Sequence, residues 1–125
     1  MQERSNRFLE PACGNGNFLI AVLRYKLADV QCRCGNNRTE YERSAVIAVA
    51  SLRGIDILEN NVLECRQRLF DFIQAEYEQL FGKQPDDNYL DSIRAVLEQN
   101  IICGNALTLF ADEEYTTRSL NLDSC

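Results

Sequence analysis

Five consecutive residues, Cys13-Gly14-Asn15-Gly16-Asn17, constrain the fold more than any other stretch of the chain. Before them, Arg7-Phe8-Leu9-Glu10 is short and apolar and meets Pro11, which suits a strand that ends abruptly. After them, the chain from Phe18 to about Ala28 reads as a helix. Phe18, Leu19, Ala21, Val22, Tyr25 and Leu27 give it a face wide enough to bury against a sheet. Two glycines between a strand and a helix can take positive φ or let another group approach the backbone. A strand, a glycine turn and a helix together form a unit that holds nucleotide-like ligands in α/β domains. The glycines bring backbone N–H groups close, and the helix start offers partial positive charge.

The rest of the chain extends this unit. A polar loop is expected from about Gln31 to Arg38. Thr39-Glu40-Tyr41-Glu42 has the form of a capping box and leads into Ser44–Ala50, which favours a second helix over a strand. Gly54 breaks that helix, and Gly54-Ile55-Asp56-Ile57-Leu58 reads as a short buried strand. Asn60 or Asn61 is then expected to cap a long amphipathic helix carrying Val62, Cys65, Leu69, Phe72, Ile73, Tyr77 and Leu80, stopped by Gly82. Pro85-Asp86-Asp87-Asn88 forms a turn and cap before a helix with Leu90, Ile93, Val96 and Leu97 on one face. Ile101-Ile102-Cys103 is a third strand, and Leu107 to Cys125 is weakly patterned. Alternating strands and helices predict an α/β fold, with about three parallel strands and packed helices in a single domain over residues 1–125.

Composition narrows the chemistry. The 125 residues carry 13 Lys+Arg against 19 Asp+Glu, a net charge of −6, and no histidine. Imidazole bases and histidine metal ligands are therefore excluded. The acidic balance counts against a simple nucleic-acid binder, whose affinity rests on Lys and Arg neutralising phosphates. No apolar run approaches the roughly 18 residues that span a bilayer, and the start does not read as a signal peptide, so a cytoplasmic location is expected. Cysteines at 13, 32, 34, 65, 103 and 125 are irregularly spaced and read as free, buried thiols of a reducing compartment. Cys32-Arg33-Cys34 lacks a second ligand pair, so a loop is favoured there over a metal site.

Two acids stand where such a domain would use them: Glu10 at the end of the first strand and Asp56 at the end of the second. The separation from Gly16 to Asp56 exceeds the roughly 20 residues of dinucleotide folds. The residues themselves point elsewhere. Leu9-Glu10-Pro11-Ala12-Cys13-Gly14-Asn15-Gly16-Asn17-Phe18-Leu19 resembles the S-adenosylmethionine motif of N6-adenine DNA methyltransferases of restriction–modification systems. The family motif reads Asp/Glu-Pro-Ala-Cys-Gly-Ser/Asn-Gly-Asn-Phe-Leu. Gly54-Ile55-Asp56-Ile57 is similar to the second motif, and Asn100-Ile101-Ile102-Cys103-Gly104-Asn105-Ala106-Leu107 to the third, which in relatives often reads Gly-Asp-Ala-Leu.

The resemblance implies a Rossmann-like class I methyltransferase sheet and S-adenosylmethionine as cofactor. It implies that Glu10 lies near the methionine amine, with the backbone of Ala12, Gly14 and Gly16 along the cofactor. Asp56 would take the ribose hydroxyls, Ile57 and Ala106 would flank the adenine, and Asn105 would address its edge. The family's catalytic motif, Asp/Asn-Pro-Pro-Tyr/Phe, holds an extruded base. Here the only prolines are Pro11 and Pro85. A cofactor-binding half is thus expected, one that does not bind and methylate DNA alone. A protein partner or a second copy would cover the sheet edge left by the missing fourth strand. The alternative is an inhibitor of a nucleic-acid-targeting defence enzyme, anti-restriction or anti-CRISPR. It would imitate phosphates with Glu76, Glu78, Asp86, Asp87, Asp91, Glu98, Asp112, Glu113 and Glu114. A solvated helix face is the plainer reading of those acids, and a decayed product without function is a third possibility for the chain.

Overall fold

A computed structural model describes residues 7–105 of the chain. The order is β1 (Phe8–Glu10), α1 (Asn17–Cys34), α2 (Arg38–Ala50), β2 (Leu52–Asp56), α3 (Glu59–Phe81), α4 (Asp87–Asn100) and β3 (Ile101–Cys103). The strands are parallel in the order β1-β2-β3. Glu10 lies opposite Gly54, and Asp56 opposite Cys103. Parallel neighbours cannot be joined by a tight turn, so each connection runs through a pair of helices. The expected α/β, Rossmann-like arrangement is the observed one.

Contacts between α1 and α3 and between α2 and α4 place both helix pairs on the same side of the sheet. That is the outcome of two successive crossovers of one hand. Leu19, Leu23, Leu27 and Val30 of α1 meet Tyr41, Ala45 and Val49 of α2, Leu69, Ile73 and Tyr77 of α3, and Ile93 and Leu97 of α4 over Leu52 and Ile101. Gly54 lets this layer close down on β2. A Cβ there would lie 2.9 Å from Leu19 Cδ1 and 3.0 Å from Cys13 Cβ.

Several boundaries differ from the sequence reading. Helix α1 runs on through the stretch expected to be a loop, because Leu27 and Val30 continue its buried stripe. Gly35, at φ 57°, ends it by donating its N–H to Gln31 O at 2.9 Å. Cys32 and Cys34 therefore sit on the last turn of a helix. The buried stripe also leaves Ala21 and Tyr25 exposed, together with Phe18 at the helix start. Helix α2 is capped by Asn37, whose side chain accepts from Glu40 N–H at 3.0 Å, and not by the Thr39 box. Strand β2 begins at Leu52, two residues before Gly54, immediately after Ser51 closes α2. Helix α3 begins at Glu59 with Leu58 in the cap position, ahead of Asn60 and Asn61. Gly82, at φ 71°, ends α3 and Asp86 caps α4, both as expected. The thiols correct another expectation. Cys13 and Cys65 are free and buried, but Cys32 is free and exposed, Cys34 is free and half-buried, and Cys103 is disulfide-bonded. The segment Leu107–Cys125 and Ala106 lie outside the described residues. Among the described residues, no helix is long and apolar enough to cross a membrane.

Candidate functional site

Because the strands are parallel and nearly in step, β1, β2 and β3 deliver their last residues to one edge of the sheet. Open α/β sheets hold ligands outside this carboxyl edge. Glu10, half-buried at the end of β1, accepts from Ala12 N–H at 3.2 Å. The turn then climbs to α1. Cys13 N–H donates to Ile55 O at 2.9 Å, and Gly16 N–H donates to Cys13 O at 2.9 Å. Gly14 and Gly16 have φ of 55° and 97°, the left-handed region that costs other residues about 1–2 kcal/mol. Their surroundings differ. A Cβ on Gly16 would lie 3.0 Å from Cys65 Sγ, whereas one on Gly14 would meet nothing within 4 Å. Gly16 is thus the face of the turn packed on α3, and Gly14 is open to an approaching group.

Asp56 joins the second strand to this turn. Its Oδ2 accepts from Gly14 N–H at 2.9 Å, while Oδ1 accepts from Leu58 N–H at 2.9 Å and from Asn61 Nδ2 at 3.1 Å. Burial pushes the Asp56 carboxyl up, but these three hydrogen bonds outweigh it and hold it below its ordinary value. The same carboxylate holds Leu58, the cap residue of α3, and Asn61 of its first turn. Ile57, the next residue, is 66 % exposed. Gly104 N–H donates to Asp56 O at 3.0 Å and carries Asn105 to the same edge, where it is exposed.

Glu10, Ala12, Gly14, Gly16, Asp56, Ile57 and Asn105 therefore share one edge of the sheet. Three residues that the sequence reading did not single out for this site also belong to it. Asn61 holds Asp56. Arg68 reaches from α3 to the turn and donates through NH1 to Asn15 O at 3.0 Å and to Asn17 Oδ1 at 2.7 Å. Cys65 backs Gly16. Its interaction with the Cys13 thiol, then burial, raises Cys13, and the same interaction lowers Cys65, with help from the Arg68 and Arg66 charges. In sequence, Arg68 has Glu64 and Asp71 at helical spacing, so a local ion pair hides its distant role. Asp71 in fact accepts from Gln67 at 2.9 Å.

The family described as MmeI, DNA-methyltransferase domain matches residues 2–119 of the 125. The chain belongs to this family. It is accordingly a methyltransferase-like domain of the restriction–modification kind, and its three parallel strands and four helices are consistent with a partial Rossmann-like methyltransferase fold. No curated protein and no solved structure matches the chain.

Of the remaining sequence candidates, three described acids make local contacts: Glu78 accepts from Gln74 at 3.2 Å, Asp86 caps α4, and Asp91 pairs with Arg94 at 3.3 Å. Asp112, Glu113 and Glu114 lie outside the described residues. Cys34 Sγ is 3.6 Å from Ser44 Oγ. Among the described residues, no group of three or more His, Cys, Asp or Glu is arranged to hold a metal ion.

Proposed function

We propose that the chain binds S-adenosylmethionine at the β1–α1 turn, as the cofactor-holding part of an N6-adenine-type DNA methyltransferase whose base-binding part comes from another polypeptide segment. The observation that carries this reading is the 2.9 Å bond from Gly14 N–H to Asp56. It joins the glycine turn to the acid of the second motif in one site. The donor set also fits the ligand. The turn has an open side at Gly14, and α1 starts at Gly16, which brings no capping side chain of its own, while Asn17 N–H donates to Asn15 Oδ1 at 3.4 Å. An exposed apolar Ile57 stands beside a carboxylate that keeps acceptor capacity on Oδ2.

When bound, S-adenosylmethionine supplies a sulfonium-activated methyl group. In this reading Glu10 accepts hydrogen bonds from the ammonium, and Ala12, Gly14 and Gly16 present backbone to the methionine arm. Asp56 accepts from the ribose hydroxyls, while Ile57 and Ala106 cover the adenine and Asn105 meets its edge. The Asp/Asn-Pro-Pro-Tyr/Phe loop must lie outside these 125 residues, whose prolines are Pro11 and Pro85. A partner chain or second copy would add its sheet at the outer edge of β1. There Phe18, 56 % exposed, stacks edge-on against Phe8 at 5.5 Å, and Tyr25 stands 80 % exposed further along α1. An edge strand presents unpaired N–H and C=O groups, so this edge calls for an occupant.

Calorimetry with S-adenosylmethionine tests the reading. Saturable heat is expected, with Asp56→Ala weakening binding about tenfold or more, because a buried hydroxyl pair loses its acceptor. Neither heat nor a thermal shift at millimolar ligand would overturn it.

A further inference from the structure

We infer that Arg68 is a positioning residue for the cofactor turn, locking the peptide plane between Gly14 and Gly16 in the orientation that receives the ligand. The inference rests on the cofactor reading above for its ligand, but its geometry stands independently. The peptide joining Asn15 to Gly16 is held at both ends. Its carbonyl accepts from Arg68 NH1 at 3.0 Å, and its N–H donates to Cys13 O at 2.9 Å. It borders Gly16, a glycine in the positive-φ region and so a residue that resists rotation of a neighbouring peptide little. The Cys13 bond holds the N–H end from within the turn, and Arg68 holds the carbonyl end from α3. The second bond of Arg68 NH1, 2.7 Å to Asn17 Oδ1, fixes the first residue of α1 from the same guanidinium. One side chain, 51 to 53 residues away in sequence, thus ties the turn and the helix start to α3.

Arg66, two residues earlier on the same helix, provides the contrast. Its Nε donates to Ile101 O at 2.8 Å and its NH2 to Glu98 O at 3.2 Å, so it secures the junction of α4 with β3 and does not touch the turn. A general loss of packing would follow from either substitution. Loosening of the turn should follow only from loss of Arg68.

Hydrogen exchange followed by mass spectrometry on the ligand-free protein, combined with S-adenosylmethionine calorimetry, tests this. Arg68→Ala should speed exchange of the amides at 14–17 by about tenfold and weaken cofactor binding by a similar factor. Arg68→Lys, which can still donate to Asn15 O or Asn17 Oδ1, should recover part of both effects. Asn17→Ala should show a smaller change in the same direction, and it carries the test if Arg68→Ala does not fold. Arg66→Ala should lower the melting temperature while leaving both turn exchange and affinity at wild-type levels. Wild-type exchange at 14–17 in Arg68→Ala, or in Asn17→Ala where Arg68→Ala does not fold, would overturn the inference. Equal acceleration in Arg66→Ala would overturn it too. If the wild-type protein binds no S-adenosylmethionine, the cofactor reading fails, while the exchange measurements still decide whether Arg68 locks the turn.

Discussion

Two glycines in the same turn do different work, and the difference can be measured. Gly16 needs its missing Cβ twice, for a φ of 97° and for the 3.0 Å approach to Cys65 Sγ. Alanine there would combine left-handed strain with overpacking against α3, so Gly16→Ala should cost about 2–4 kcal/mol in urea unfolding. Gly14, at φ 55° with open space around it, carries only the strain. Gly14→Ala should cost about 1 kcal/mol of stability. The added methyl would instead project into open space, so under the proposed function Gly14→Ala should weaken S-adenosylmethionine binding more than its stability loss suggests. Equal losses of stability in the two variants would show that Gly16 is not wedged against α3. Which glycine faces the protein and which faces open space is invisible in Gly-Asn-Gly. It is decided by Cys65, 49 residues further along the chain.

Helix starts show how local signals and long-range contacts divide the fold between them. The Asn37 side chain, accepting from Glu40 N–H, is the cap of α2. Asn37→Ala should lower stability by about 1 kcal/mol, while Thr39→Ala at an exposed position should stay within about 0.5 kcal/mol. The reverse result in chemical denaturation would restore the Thr39 box. The sequence reading names Thr39 alone as the cap; Asn37 stands two residues earlier, in the stretch expected to be a loop. Where cap and stop are purely local, as with Asp86 and Gly82, the reading was correct. The glycine turn, the three strands and their parallel order were legible for the same reason, since alternating short apolar runs with helical periodicity leave few other arrangements. The start of α3 was not legible, because Leu58 takes the cap position with no side-chain acceptor and is held there by its N–H bond to Asp56 of the preceding strand. The candidate site divides the same way. Glu10 and Asp56 could be read from their places after apolar runs, whereas Arg68 and Asn61 act through contacts that no spacing rule connects.

At the scale of the whole molecule, the layer of helices is fastened by an aromatic cluster. Tyr77 of α3 touches Tyr41 of α2 at 6.2 Å, Phe81 at 4.8 Å and Tyr89 of α4 at 5.2 Å, and its hydroxyl donates to Glu42 Oε2 at 2.8 Å. Burial pushes Tyr41 and Tyr77 up to about 12, with the Glu42 hydrogen bond adding to Tyr77, and burial moves Tyr89 upward as well. A phenol whose folded pKa is raised stabilises fully below its unfolded value of about 10, and that stability is lost as pH rises through the folded value. Asp56 has the opposite sign. Its folded pKa is lowered, so its contribution is complete above about pH 4 and falls away as pH drops through the folded value. The urea midpoint should therefore fall on both flanks, below pH 4 and between about pH 10 and 12. Tyr77→Phe separates the two limbs. It should cost about 1–3 kcal/mol at pH 7, where the hydrogen bond to a carboxylate is lost. It should also make the alkaline fall shallower, because one fewer buried phenol must ionise, and leave the acid limb unchanged. A wild-type midpoint at pH 11 equal to that at pH 8 would mean that the tyrosines reach water in the folded state, and that the clamp between α2, α3 and α4 is looser than described.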